Sequence, residues 1–104
     1  MLPLAYGFLW NLENATLYHN ETLVKLTKKE TLLLQVLLKE AGKYLLRDTL
    51  IIEIWQDEIP DASHDNKLTQ LIYRINSKLS VLKNEKISFI ENSYALGYKI
   101  SLQS

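Results

Sequence analysis

Apolar residues stand at every second position in Tyr6, Phe8, Trp10 and Leu12, the period of a half-buried strand. Ala15 to Tyr18 and Thr22 to Leu26 add two short β segments. Asn14-Ala15 and His19-Asn20-Glu21 are turn-like breaks between them. Together they predict a small antiparallel sheet over roughly residues 5–26. Residues 1–4 are expected to be linker or a loose chain end, and they lack the basic flank of a signal peptide.

The period then changes. Thr27-Lys28-Lys29-Glu30 matches a capping box, in which the Thr27 hydroxyl accepts from the first turn and Glu30 reaches back. A helix is predicted from Lys28 to about Ala41, with Gly42 as its left-handed cap. Leu33, Leu34, Val36, Leu37 and Leu38 leave it little polar face, so it is expected to be central. Leu32 extends that face, either as part of a broad core stripe or as a partner surface. Tyr44-Leu45-Leu46 reads as extended, and Asp48 to Trp55 as a second helix with Leu50, Ile51, Ile54 and Trp55 on one side.

Gln56 to Asp65 is a polar, acidic loop broken by Pro60. Ser63 or Asp65 is expected to cap a third helix reaching to about Leu82. Within it Leu68, Ile72, Ile75, Leu79 and Leu82 form one apolar stripe. Lys83-Asn84-Glu85 ends it. Ile87 and Phe89, then Tyr98, Ile100 and Leu102, predict two strands of a terminal hairpin with its tip near Asn92-Ser93-Tyr94-Ala95. The predicted class is α+β: a small N-terminal sheet, three helices and a C-terminal hairpin, in a single domain spanning residues 1–104.

Composition narrows the function classes. No apolar run approaches the ~18 residues of a membrane span. The absence of cysteine excludes disulfides, thiolate metal sites and thiol nucleophiles, and it fits a cytoplasmic location. Net charge is zero, but it is unevenly placed. Residues 44–65 set Arg47 against Asp48, Glu53, Asp57, Glu58, Asp61 and Asp65. Residues 66–104 set Lys67, Arg74, Lys78, Lys83, Lys86 and Lys99 against Glu85 and Glu91. An acidic middle followed by a basic last third points to two surfaces with different partners.

Enzyme chemistry finds no constellation. Ser63, His64 and Asp65 are the residue types of a hydrolytic triad, but as chain neighbours rather than separated positions. Asp57, Glu58 and Asp61 lack calcium-loop spacing and the glycine such a turn needs. With Gly7, Gly42 and Gly97 alone, there is no phosphate-cradling loop. We therefore expect no catalytic activity, metal or cofactor.

Four segments carry a family resemblance. They are Leu26-Thr27-Lys28-Lys29-Glu30 with its leucine run, Arg47-Asp48-Thr49-Leu50 through Ile54-Trp55, Ile72 through Leu79, and Gly97-Tyr98-Lys99-Ile100. In this order and spacing they resemble the winged-helix effector domain of OmpR/PhoB-type response regulators, over about residues 6–102. The resemblance implies a winged helix-turn-helix whose third helix enters the major groove of double-stranded DNA. It implies a DNA surface of Asn66, Lys67, Gln70, Tyr73, Arg74, Ser77 and Lys78 on that helix, with Asn92, Ser93 and Tyr94 on the wing. Arg74 and Lys78 are expected to attract phosphate, and Gln70 and the amides of Asn66 and Asn76 to reach base edges.

The resemblance implies that the acidic loop, through Asp57, Glu58 and Asp61, contacts RNA polymerase; the alternative is a solvated surface connector. A receiver domain upstream would supply control by phosphorylation, within a two-component phosphorelay, and pairing on DNA as a homodimer is implied. A membrane-anchored regulator of the ToxR/CadC type shares the same pattern. The sequence departs from the family at Tyr73, Asn76 and Ser77, where basic residues are common, and in a longer wing without Lys or Arg. These departures motivate an alternative: a winged-helix protein-interaction module that has lost DNA binding.

Overall fold

The computed structural model describes residues 1–102. Four strands, β1 (Leu2–Pro3), β2 (Phe8–Asn11), β3 (Thr16–His19) and β4 (Thr22–Val24), form an antiparallel meander in chain order. Phe8, Trp10, Leu17 and Val24 share its buried face, as the two-residue period requires. Cross-strand partners confirm the register: Leu2 lies opposite Trp10, Trp10 opposite Leu17, and Leu17 opposite Val24.

The start of the chain differs from expectation. Residues 1–4 are not a linker: Leu2 and Pro3 pair with β2, and Leu4 is fully buried. Leu4 also forms an isolated bridge to Leu102 near the other end. Tyr6 does not extend β2. It lies in a short 3-10 turn, Ala5–Gly7, at a left-handed φ of 62° that a strand excludes. Leu12 falls beyond β2 and is exposed.

Helix α1 (Lys28–Lys39) opens on the expected capping box. Thr27 Oγ1 accepts from the Glu30 N–H at 3.2 Å, and Glu30 Oε1 accepts from the Thr27 N–H at 2.9 Å. The helix buries Leu33, Leu34, Leu37 and Leu38, and Leu32 packs half-buried against the same core, so the broad core face holds. Gly42, left-handed at φ +84°, donates its N–H to Ile100 O at 2.9 Å. This ties the exit of α1 to the C-terminal segment.

Helix α2 (Arg47–Ile54) buries Leu50, Ile51 and Ile54, with Trp55 just beyond. Helix α3 (Ser63–Lys83) is the longest element. Leu68, Ile72, Ile75 and Leu79 are buried as predicted, and Leu71 joins them. Leu82 is instead exposed, because the last turn runs past the core. Asn84 closes the helix in the left-handed conformation, donating to Ser80 O and Val81 O.

The hairpin is β5 (Glu91–Ser93) and β6 (Gly97–Lys99). Its first strand is displaced from expectation. Ile87 and Phe89 are buried core residues in an irregular segment, not strand residues. Glu91 pairs with Lys99, Asn92 with Tyr98 and Ser93 with Gly97, so Tyr94-Ala95-Leu96 is the tip. Leu45 adds a bridge to Tyr98, with both backbone bonds made, at 2.8 and 3.0 Å. The three helices and the hairpin thus close around one core against the inner face of the sheet. Among the described residues, no helix is long and apolar enough to cross a membrane.

Candidate nucleic-acid interface

Where α3 turns its apolar stripe inward, the opposite face is left to solvent. Asn66, Lys67, Gln70, Tyr73 and Arg74 are exposed along it, and Ser77 is half-buried at its far end. Positions 66, 70, 73, 74 and 77 fall within one helical face by the three- and four-residue rule. Among the described residues Asn66, Gln70, Tyr73 and Arg74 make no side-chain hydrogen bond or ion pair. Lys67 reaches Glu58 Oε1 at 3.3 Å, an exposed pair worth little. This face therefore presents two amides, a phenol and a guanidinium with their hydrogen-bonding capacity unspent.

The structure removes two side chains from the expected interface. Lys78 sits beside α1, where its ammonium meets Glu30 Oε1 at 2.6 Å and Lys25 O at 2.9 Å. Glu30 is a carboxylate only 3% exposed, so Lys78 serves the core of the fold rather than a ligand. Burial alone would raise the Glu30 pKa. The Lys78 ammonium and the backbone N–H of Thr27 outweigh it, and the carboxyl lies below its ordinary value.

Asn76 is turned toward the wing. Its Oδ1 accepts from the Ile90 N–H at 2.9 Å and its Nδ2 donates to Ile90 O at 3.4 Å. The amide thus imitates a strand neighbour just before β5, and it is not available to a base edge.

Arg47 is the counterpart at the other end of α3. Its guanidinium donates to Asp65 Oδ1 at 3.0 Å, to Asp65 O at 2.6 Å and to Thr69 Oγ1 at 2.8 Å. It also donates to the Tyr98 hydroxyl in β6. One side chain of α2 therefore fixes α3 and the C-terminal hairpin together, through the planar fork that lysine lacks. Its motif position was visible in the sequence, but its partners, 18 to 51 residues away, carried no local signal.

The wing places Asn92 and Tyr94 outward, Tyr94 fully exposed, and holds Ser93 half-buried with its carbonyl accepting from Leu96 N–H.

The acidic loop is more ordered than a solvated connector. His64, expected only as a loop neighbour, is 2% exposed with its ring edge-on to Trp55 at 5.6 Å. Its Nδ1 accepts from the Asp61 N–H at 3.1 Å, which leaves the hydrogen on Nε2, directed at Glu58 Oε1 at 3.1 Å. Asp61 Oδ1 accepts from both the N–H and the hydroxyl of Ser63, contacts that hold its pKa below the ordinary value. The N-cap position is Ala62, whose side chain cannot accept, so neither Ser63 nor Asp65 caps the helix as expected; both lie inside α3, and Asp61, one residue before Ala62, accepts from the Ser63 N–H instead. Of the three acids expected to face polymerase, Asp57 alone has no partner among the described residues. Ile59 beside it is 89% exposed.

Comparison with known proteins places this arrangement. The profile of the family described as "Transcriptional regulatory protein, C terminal" matches residues 20–100. The chain belongs to this family. The OmpR/PhoB-type effector assignment thereby holds.

The chain is 31% identical over 94 residues to the transcriptional regulator HilA of Salmonella typhi, covering 90% of itself and 16% of HilA. It is 31% identical over 88 residues to the response regulator protein GraR of Staphylococcus epidermidis, covering 85% of itself and 38% of GraR. It therefore spans well under half the length of these relatives. Among solved structures, the DNA binding domain of E. coli CadC superposes with a TM-score of 0.75 at 21% identity, over 97% of this chain and 94% of that one. A streptococcal redox sensor, of a family described as evolved from two-component response regulators, superposes at 0.74 with 27% identity, over 97% and 42%. The effector-family fold is a winged helix, with α3 as its recognition helix and β5–β6 as its wing.

Proposed function

We propose that this chain is a sequence-specific, double-stranded DNA-binding effector domain of a bacterial two-component transcription regulator, without catalytic activity. The exposed face of α3 carries the reading. Asn66, Gln70, Tyr73 and Arg74 stand in one row with no side-chain partner among the described residues, on the helix that the family places in a major groove. Gln70 and Asn66 match adenine edges, while Arg74 and Lys67 match guanine or phosphate. Family membership supports a receiver domain elsewhere in the parent protein, a cytoplasmic site of action and pairing of two copies on repeated half-sites. The loop carrying Asp57 and Ile59 supports a contact with RNA polymerase, since it joins an exposed acid to an exposed apolar side chain.

The test is a binding titration against fragmented genomic DNA at several salt concentrations. The expected result is saturable duplex binding that weakens with salt, with a log–log slope reduced by about 0.9 in Arg74→Ala. Absence of salt-dependent duplex binding by the folded protein would favour the interaction-module alternative.

A further inference from the structure

One carboxylate oxygen joins the acidic loop to the exposed face of α3. Glu58 Oε1 accepts from His64 Nε2 at 3.1 Å and from the ammonium of Lys67 at 3.3 Å. His64 and Lys67 stand three residues apart and are neighbours on the helix surface. The histidine is 2% exposed and turned inward against Trp55. Lys67 is exposed, in the row that continues through Gln70 and Arg74. Glu58 therefore has one bond rooted in the core and one at the surface.

The rooted bond gives the surface bond its position. An exposed ion pair alone leaves both side chains loosely placed. Here the imidazole is held, because its Nδ1 accepts from the Asp61 N–H and its ring stands edge-on to Trp55, and it in turn holds Glu58 beside the first turns of α3. The other charged groups around this bridge are spent elsewhere. Asp61 serves Ser63, Asp65 serves Arg47, and Lys29 of α1 donates to Ile54 O. Of the two cations on the exposed row, Lys67 has an acid within reach and Arg74 has none among the described residues.

A phosphate would make the contact with Lys67 that Glu58 makes now, an anionic oxygen accepting from an ammonium. The two anions cannot share it without cost. A phosphate oxygen at hydrogen-bond distance from Nζ brings two negative charges within about 6 Å of each other, inside the Debye length of about 8 Å.

We propose, on the DNA-binding reading above, that Glu58 is an internal competitor of DNA phosphate for Lys67, and that duplex binding, by taking Lys67, breaks the Glu58 bridge and uncouples loop residues 57–61 from α3. The free protein holds its loop against the helix, and the bound protein lets it go. Occupancy of the DNA face is thereby reported to a different surface of the molecule.

The test uses a duplex recovered by the parent protein from fragmented genomic DNA, with anisotropy titrations and with amide exchange measured in its presence and absence. Glu58→Gln keeps an oxygen for the His64 N–H and removes the charge. It should bind about two- to fivefold tighter than the parent, the range that an exposed pair supports. Asp57→Asn removes the same charge from a side chain without a partner among the described residues, and should change affinity less. The gain from Glu58→Gln should vanish in a Lys67→Met background, where there is no cation to contest. In the parent, duplex should speed exchange at the Asp61 amide, which His64 protects, because the ring loses its second anchor. In Glu58→Gln it should not.

A gain in Glu58→Gln no larger than in Asp57→Asn would overturn the competition. A gain that persists in Lys67→Met would assign it to general charge and remove Lys67 from the bridge. Exchange at Asp61 unchanged or slowed by duplex would overturn the uncoupling, and that measurement on the parent stands even if a variant does not fold. Failure of the parent to bind any duplex would instead overturn the DNA-binding reading, and this proposal with it.

Discussion

Lys78→Met separates a structural lysine from a DNA-contacting one. The variant keeps the length of the side chain and removes the ammonium from Glu30, leaving a carboxylate that is 3% exposed with the Thr27 N–H as its remaining donor. Breaking a buried ion pair by removing one partner costs about 3–5 kcal/mol. The Lys78 side chain is itself 33% exposed, so water reaches part of the vacated space. The expected loss is therefore nearer 2–3 kcal/mol, roughly 10–15 °C in Tm for a domain of this size.

The loss should depend on pH with a defined sign. In the parent, the Glu30 pKa is lowered from its ordinary value of 4.5. Its stabilising contribution is complete above that value and fades as pH falls through the folded-state pKa. In Lys78→Met the ammonium no longer opposes burial, so the pKa moves upward and acidification relieves the buried charge. The gap between parent and variant should be widest near neutral pH and narrow below about pH 4.5. Denaturant melts followed by circular dichroism at pH 7 and pH 4 measure it. The salt slope for DNA should stay at the parent value, in contrast to Arg74→Ala. A variant as stable as the parent, with a slope lower by about 0.9, would refute the reasoning and return Lys78 to the phosphate surface.

Gln70→Ala should cost about 1–3 kcal/mol on the preferred site and little on random duplex, and equal losses on both would move Gln70 to backbone contact. Gly97→Ala should be severely destabilising, about 3 kcal/mol or more, since its Cβ would lie 1.9 Å from Leu45 O at a φ of +101°; a thermal melt unchanged within 2 °C would contradict that packing. In the acidic loop, Asp57→Asn should leave stability and DNA affinity intact while lowering activated transcription in vitro, and full activation at saturating occupancy would remove the polymerase contact. Asp61→Ala should by contrast loosen the first turn of α3, read as faster amide exchange at Ser63 and His64, because its carboxylate holds the Ser63 N–H.

The legible parts of this molecule were those with a local physical cause. The Thr27–Glu30 capping box and the α3 stripe follow from spacing within one helix, and the outward row of Asn66, Gln70, Tyr73 and Arg74 follows from the stripe. The errors arose where distant segments decide. Leu4 is buried because it pairs near Leu102, a contact that no window of sequence contains. Ile87 and Phe89 carry strand-like alternation, yet Ser80 binds the Ile87 backbone and the core takes both side chains, so pairing starts only at Glu91. The cations and amides of α3 looked equivalent by composition. Their assignments were fixed by Glu30, 48 residues before Lys78, and by Ile90, 14 residues after Asn76.

The bridge between Leu4 and Leu102 makes the two ends of the fold neighbours. A module fused ahead of the chain and one fused behind it would hang from the same anchor point, and neither fusion would need to rearrange α3 or the wing. One reading head can thus be carried at the front or the back of a regulator with the same tether geometry. Adjacent ends also favour circular permutation. A rearranged gene that joins the C-terminal end to residue 1 through a flexible link, keeping β1, and opens the chain in the exposed loop around Ile59 should still encode a folded DNA reader.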